Sequence, residues 1–468
     1  MDIIHISAEC YPIAKVGGLA DVVGALPKYQ NSSKISSKVI MPFYDIKFTK
    51  AHTFEAVFSS ELTLGNATHS FRVLKLTEAI LDFEVFFIDV PDLVFKDYVY
   101  SFDDTDRFLA FQIAALDWML TWEKHPDIIH CHDHHTGLIP FMLQESFKYE
   151  AFRKIPNILT IHNAQYQGWF SHDKLNLIPA FNLLNTGLLD WGGQINPLAA
   201  AIKCAWRVTT VSPSYMEELK IAANGLESLL NDESAKCVGI LNGIDSNVWN
   251  SETDSYLIKN FSNKNLISGR KANKKHLCDT FNLDFNKPLF AFIGRLVGEK
   301  GSDLFPETFK NALDKQNLSI LLLGSGNDAV EAELEALKTD YKGNYNAYIG
   351  YDEKLSHIIY AGADFLLMPS RVEPCGLNQM YALRYGTIPI VRSIGGLKDT
   401  VTDINDENGF GICHDNVEVS EITTAIDRGV ALYANQSEYK KISKHIMSID
   451  HSWDASAKEY INLYKSIN

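Results

Sequence analysis

The chain has 468 residues, too many for one hydrophobic core and a length that suggests about two or three domains. Hydrophobic residues make up 46% and charged residues 22%, an ordinary globular composition, and the formal charge of −15 removes the broad basic surface that nucleic-acid or anionic-membrane partners require, so any anion site must be local. Seven cysteines at 10, 131, 204, 237, 278, 375 and 413 form no CxxC pair, which argues against a disulfide framework or a thiolate zinc site and fits a reducing cytoplasm.

The sequence begins on a strand-like run, Ile3 to Ile6, with no room for a leader, and no apolar run reaches membrane-spanning length; a cytoplasmic location is expected. Further β-rich runs follow at Val39 to Met41, Val85 to Ile88, Ile128 to Ile129, Ile158 to Ile161 and Val208 to Val211, with helical patterns between them. That alternation predicts an open parallel sheet with helices on both faces and ligands beyond the carboxyl ends of its strands. After the first run, Lys15-Val16-Gly17-Gly18-Leu19-Ala20-Asp21 sets paired glycines before a helix. This is either an anion-holding helix start assisted by Lys15 or ordinary loop chemistry.

The segment Asp127 to Gly137 carries His130, His132, His134 and His135 around Asp133. It lacks HExxH spacing and a second Cys or His pair, so one or two of these side chains are read as hydrogen-bonding a polar ligand, and no metal is expected. Thr160 to Phe170 brings together Asn163, Gln165, Tyr166, Gln167 and Trp169, which suit sugar rings and their hydroxyls or, equally, fill a loop core. Ser212-Pro213 starts a helix, Val238 to Asp245 reads as another strand and turn, and the polar run through Asn265 reads as a passage between domains.

Alternation resumes with Leu289 to Ile293, Ile320 to Leu323, Tyr348 to Ile349, Phe365 to Met368 and Ile388 to Val391, predicting a second doubly wound sheet and a ligand held in a cleft between two α/β halves. The first of these runs ends in Gly294-Arg295-Leu296-Val297-Gly298-Glu299-Lys300-Gly301, a local anion clamp that has neither Walker spacing nor the dinucleotide glycine fingerprint. Absence of that fingerprint argues against a nicotinamide oxidoreductase. Pro369 to Gln379 then joins a buried strand to a helix; Glu373 there is either a ligand-orienting acid or a helix-start carboxylate, and Gly376 a turn glycine. Gly395-Gly396-Leu397-Lys398-Asp399 echoes Gly17-Gly18-Leu19-Ala20-Asp21, as if each half aimed one helix start at the ligand. Trp453, Ala457, Tyr460, Ile461 and Tyr464 fall at helical spacing at the end of the chain.

Six segments together, Lys15 to Val22, Tyr166 to Gly168, Ile240 to Gly243, Arg295 with Lys300, Pro369 to Leu377, and Gly395 to Leu397 with Asp399, resemble the bacterial glycogen synthase and starch synthase family. The resemblance implies an α/β fold of two facing Rossmann-like domains, the GT-B architecture: residues 1–250 on the acceptor side, 251–450 on the nucleotide-sugar side, and 451–468 a helix returning to the first. It implies transfer of glucose with retention from ADP-glucose to the non-reducing 4-hydroxyl of an α-1,4-glucan, with no cofactor or metal; UDP-glucose as donor and a catalytically silent glucan-binding relative are the alternatives. By position, Arg295 and Lys300 would hold the diphosphate, Lys15, Gly17 and Gly18 would close on it, and Glu373 would orient the donor glucose with the Cys375, Gly376 and Leu377 amides. His135 would contact the sugar, Asp21, Asn163 and Asn242 would line the sugar and acceptor side, and Tyr351 would stack on the base. Two positions depart from the family pattern: His134 stands in place of tryptophan, and Asn378 in place of threonine, where a backbone amide would still let it contact the donor. Oligomeric state is not legible.

Overall fold

The first half holds the strands β1 (Asp2–Ile6), β2 (Ser36–Pro42), β3 (Phe54–Leu64), β4 (Ala67–Leu76), β5 (Glu84–Asp89), β6 (Ile128–His132), β7 (Asn157–Ile161), β8 (Asp190–Trp191), β9 (Gln194–Ile195), β10 (Arg207–Thr210) and β11 (Cys237–Gly239); the expected β-rich runs fall in β1, β2, β5, β6, β7, β10 and β11, whereas β3, β4, β8 and β9 were not expected. The computed structural model describes residues 1–468 and resolves into two units, Met1–Leu241 with Trp453–Asn468, and Asn242–Ser452.

In the first unit nine strands form one sheet in the order β11-β10-β7-β6-β1-β2-β5-β4-β3, and β8 pairs with β9 in a separate ribbon. The sheet is parallel except at one edge, where β4 runs antiparallel to both β5 and β3. That edge departs from the all-parallel expectation. It is a hairpin closed by Gly65-Asn66, with Gly65 at φ +60°, a positive φ that glycine adopts without cost.

The helix Trp453–Lys465 presents Trp453, Ala457, Tyr460 and Tyr464 along one stripe, and they pack with Ile3, Val22, Leu26, Ile128, Ile158 and Ile240. Tyr460 and Tyr464 are fully buried, each worth about 1.5–3 kcal/mol of apolar burial, enough to bind the end of the chain to the first unit.

The second unit holds β12 (Leu289–Leu296), β13 (Ser319–Gly326), β14 (Tyr345–Ile349), β15 (Phe365–Met368), β16 (Ile388–Arg392) and β17 (Ile412–His414) in the order β14-β13-β12-β15-β16-β17, parallel throughout. The run expected to be a passage between domains is instead anchored in this unit. Trp249 stacks on His357 at 4.0 Å and on Tyr381 at 3.7 Å, and Asp254 accepts from Tyr385 Oη at 2.6 Å and pairs with His357 Nδ1 at 2.7 Å. Beneath the sheet, Lys274 and Asp364 form a buried ion pair at 2.6 Å. Burial, the largest single influence, pulls the Lys274 ammonium toward neutrality, but the Asp364 charge, Tyr433 and the hydrogen bonds to both together outweigh it and the net shift is upward.

In each sheet the chain winds outward from a central strand in both directions. Strand order reverses between β1 and β6 in the first and between β12 and β15 in the second. In each unit taken by itself, the loops leaving the carboxyl ends of those two strands lie where doubly wound sheets bind ligands. They are the segments after Ile6, His132, Leu296 and Met368. No helix is long and apolar enough to cross a membrane.

Candidate active site

In the second unit, the turn after β15 brings Glu373 beside the loop after β12. Lys300 Nζ lies 2.6 Å from Glu373 Oε2, which also accepts from Ser370 Oγ at 2.9 Å. Glu373 is 8% exposed, and its Oε1 has no protein partner. Arg295 is the opposite case: its side chain is 70% exposed and meets only Glu299, at 3.5 Å. The result is one fixed ammonium–carboxylate pair beside one guanidinium with its fork unspent.

The Pro369–Gln379 turn is held from behind. Asn378 Nδ2 donates to the Ile293 carbonyl at 2.8 Å, and Gln379 Nε2 donates to the carbonyls of Cys375 and Gly376 at 3.1 Å each. Gly376 sits at φ +73° with Gln379 Oε1 only 2.6 Å from where a Cβ would lie, so glycine is required here. The N–H groups of Cys375, Gly376 and Leu377 have no protein acceptor, as expected of donors set aside for a ligand. Asn378, the residue that departs from the family pattern, thus works through its side chain by pinning the turn to β12. Burial pushes the Cys375 thiol up to about 12, so it serves as packing and not as a nucleophile; the Asn242 backbone N–H reaches its sulfur. Asn242 Oδ1 is buried with no partner, and Tyr351 is 80% exposed beyond β14.

The two Gly-Gly pairs turn out to differ. A Cβ on Gly395 would lie 2.0 Å from the Glu373 carbonyl oxygen and one on Gly396 2.0 Å from that of Cys375, and the Gly396 N–H donates to the Glu373 carbonyl at 3.2 Å. That pair buttresses the Glu373 turn and is not aimed at a ligand, which corrects the expectation of two equivalent helix starts. Around Gly17 and Gly18 a Cβ would meet nothing within 4 Å. What glycine provides there is bare backbone that a ligand can approach.

In the first unit, Lys15 Nζ pairs with Asp21 Oδ1 at 2.7 Å, and both are partly exposed. The loop between them is gripped by Glu9, which the sequence reading missed: Glu9 Oε2 accepts from Val16 N–H at 2.5 Å and Gly17 N–H at 3.0 Å, and Oε1 accepts from Tyr100 Oη at 2.5 Å. The Gly17 amide is therefore committed inside the protein, which corrects its expected role as an anion donor. The Gly18 N–H, at the start of the helix Gly18–Gln30, has no protein acceptor.

Tyr100 stacks on the His135 ring at 4.6 Å, and Phe108 meets the same ring edge-on at 4.7 Å. His135 is 8% exposed, burial drives its pKa well down, and its Nδ1 is buried with no partner. Its ring is thus part of an aromatic wall, held between Tyr100 and Phe108. His134 packs against His135 at 3.7 Å and under Gly168, where a Cβ would sit 2.4 Å from the His134 ring; a histidine thus fills the place of the family's tryptophan.

Two further residues gather at the ends of β6 and β7. Asp133 adopts φ 55°, ψ −176°, a conformation costly for a non-glycine residue, and its Oδ1 accepts from the N–H groups of His162 at 2.7 Å and Asn163 at 3.4 Å. Burial pushes its carboxyl up to about 7 against the pull of those two amides. Asn163 Oδ1 accepts from Gln165 N–H at 2.9 Å. Asp133 is thus a strained, buried acid held against the backbone of His162 and Asn163 at the ends of two neighbouring strands. The sequence carried it only as one more residue in a histidine-rich run.

Residues 2–232 match the model of the starch synthase catalytic domain, and residues 277–445 match that of the group 1 glycosyl transferases. A glycogen synthase of Flavobacterium johnsoniae is 53% identical over 470 residues, covering 100% of this chain and 99% of that one, and a Streptococcus pneumoniae glycogen synthase is 38% identical with 100% of each covered. The catalytic domain of Arabidopsis thaliana starch synthase IV, solved bound to ADP and acarbose, superposes with a TM-score of 0.86 at 33% identity over 99% of each chain. The similarity in sequence and in structure runs over the whole chain. The chain belongs to the glycogen synthase and starch synthase family of glucosyltransferases and has the GT-B fold.

Proposed function

We propose that the chain transfers glucose, with retention, from ADP-glucose to the non-reducing 4-hydroxyl of an α-1,4-glucan. The observation that carries this reading is the cluster of Lys300, Glu373 and Ser370 on the loops that also carry the exposed Arg295, two cations held at a strand-order switch point, one on a buried carboxylate and one still exposed, in a chain whose net charge is −15. Lys300 and Arg295 take the diphosphate and stabilise the charge that builds on it as the glycosidic bond breaks. Glu373 Oε1 and the Cys375, Gly376 and Leu377 amides orient the donor glucose, and Tyr351 stacks on the base. Lys15 and the Gly18 amide supply further positive potential, and His135 contributes through its carbonyl oxygen, since its ring is packed. Asp21, Asn163 and Asn242 line the sugar and acceptor side.

On this reading the second unit is the donor side and the first the acceptor side, and the cationic side chains supply the electrostatic stabilisation without a divalent ion. Primer glucan and nucleotide sugar are the partners, and the cytoplasm is the place of work. The test is the initial rate with ADP-glucose against UDP-glucose on a glucan primer. Faster transfer from ADP-glucose is expected; equal or faster transfer from UDP-glucose overturns the donor assignment, and no transfer from either leaves a glucan-binding relative without chemistry.

A further inference from the structure

The first unit buries a chain of imidazoles that the roles above do not use. His5 on β1 has Nε2 at 2.8 Å from Gln30 Oε1 and Nδ1 at 3.0 Å from His132 Nε2; His132 Nδ1 is in turn 3.0 Å from His162 Nε2, just past the end of β7. A branch runs from Gln30 Nε2 to Tyr464 Oη at 3.1 Å, on to His130 Nδ1 at 2.7 Å, and from His130 Nε2 to Thr160 Oγ1 at 2.6 Å. His5, His130 and His132 are fully buried, and one ring nitrogen from each lies within 4.8 Å of the other two. Every one of those nitrogens already has a hydrogen-bond partner, so a cation there would have to strip the whole network.

Where the protons sit follows from counting donors and acceptors. The Ser37 hydroxyl, 1% exposed, donates at 2.7 Å to Gln30 Oε1, its sole side-chain partner. This fixes the amide: were Gln30 turned over, its NH2 would face Ser37 and the hydroxyl proton would be buried without an acceptor, at a cost of about 1–3 kcal/mol. With Oε1 facing His5, His5 carries its proton on Nε2 and accepts on Nδ1 from His132 Nε2–H, and His132 accepts on Nδ1 from His162 Nε2–H. The branch closes in the same sense, Gln30 to Tyr464 to His130 to Thr160 to Thr209, with Thr160 and Thr209 Oγ1 2.6 Å apart. Burial lowers His5 to about 4, His162 to about 3, and His130 and His132 well below the usual imidazole range, so the chain is uncharged at neutral pH.

We propose that Ser37, Gln30, His5 and His132 form a positioning relay that fixes His162 as its Nε2–H tautomer and leaves the Nδ1 lone pair as a neutral acceptor for a sugar hydroxyl. His162 is 8% exposed, its Nδ1 has no protein partner, and its own N–H is clamped by Asp133 at 2.7 Å, so ring and backbone are both set. The hydroxyl as ligand rests on the function proposed above; the proton placement does not.

The test is a long-range 1H–15N correlation spectrum of the full-length, histidine-labelled protein, with His162 assigned by the signals lost in His162→Gln. The relay predicts a protonated Nε2 and a bare Nδ1 at His162. Gln30→Met should give both His162 tautomers and about a tenfold loss of turnover, the scale of one hydrogen bond, with little change in KM for the donor. Ser37→Ala, a smaller change that removes only the hydroxyl setting the direction, should also mix the tautomers. A wild-type spectrum with Nδ1 protonated, or a single unchanged tautomer in both variants, overturns the relay. The assigned tautomers in a protein that transfers no glucose would uphold the relay and overturn the function.

Discussion

Replacing Lys300 by alanine removes two effects of different size. In the resting protein it deletes a 2.6 Å charge-assisted hydrogen bond to a carboxylate that is 8% exposed, worth about 1.5–3 kcal/mol. During transfer it deletes a cation within about 4 Å of a developing phosphate charge, worth about 4 kcal/mol at an effective dielectric constant near 20, or roughly a thousandfold in turnover. Arg295→Ala separates the two. Its guanidinium is 70% exposed with one contact at 3.5 Å, so stability should change by less than about 0.5 kcal/mol while turnover falls by a similar factor. Lys300→Met combined with Glu373→Gln should recover most of the stability, because no charge is left buried without its counter-ion, but none of the activity. Urea denaturation and radiolabelled glucose transfer, measured on the same preparations, read both quantities. Near-normal transfer by Lys300→Ala or Arg295→Ala, or an equal loss of stability in the two, would refute the reasoning.

The glycine pairs should respond in opposite ways. Gly18→Ala enters open space and should leave stability unchanged or raise it by up to about 1 kcal/mol while lowering turnover at least tenfold, whereas Gly396→Ala, with Cys375 O 2.0 Å from the new Cβ, should fold poorly or lose more than about 3 kcal/mol in urea titration. Burial depresses His5 and His134 to about 4, His162 to about 3 and His130, His132 and His135 well below 6.5. Their contribution is thus complete above pH 6.5 and is lost as the pH falls toward 4, by up to about 1.4 kcal/mol per histidine per pH unit; a stability that is flat from pH 6.5 to 5 would contradict this. Asp133, raised to about 7 by burial, works in the other sense, stabilising at low pH and losing that contribution as the pH rises from about 4 to 7. Asp133→Asn keeps an oxygen for the His162 N–H and should gain stability relative to wild type as the pH is raised through that window. Activity should survive EDTA in steady-state assays.

Strand positions were legible wherever apolar residues ran continuously, because parallel strands buried on both faces cannot hide their composition: β6 and β7 are buried at every position. The hairpin β3–β4 escaped because its outward residues are polar and exposed, although Gly65-Asn66 between two alternating runs was the available signal. The three-residue β17 carries too little pattern to read.

Within the site, Lys300 and Glu373 were legible as charges beside glycines, but their direct pairing was not, since 73 residues separate them. Glu9 was passed over because an acid after a strand has no distinguishing neighbour; its partners Val16, Gly17 and Tyr100 meet it only when the loop folds back. The histidine run looked like one cluster, yet alternation along β6 sends His130 and His132 into the interior beside His5, while His135 goes to a separate aromatic wall.

The account stands or falls on glucose transfer itself. Incubated with radiolabelled ADP-glucose and a glucan primer in the presence of EDTA, the wild-type protein should place label on the non-reducing ends in α-1,4 linkage and release ADP in equal amount. A folded protein that binds the primer but leaves all the label in the nucleotide sugar would contradict it.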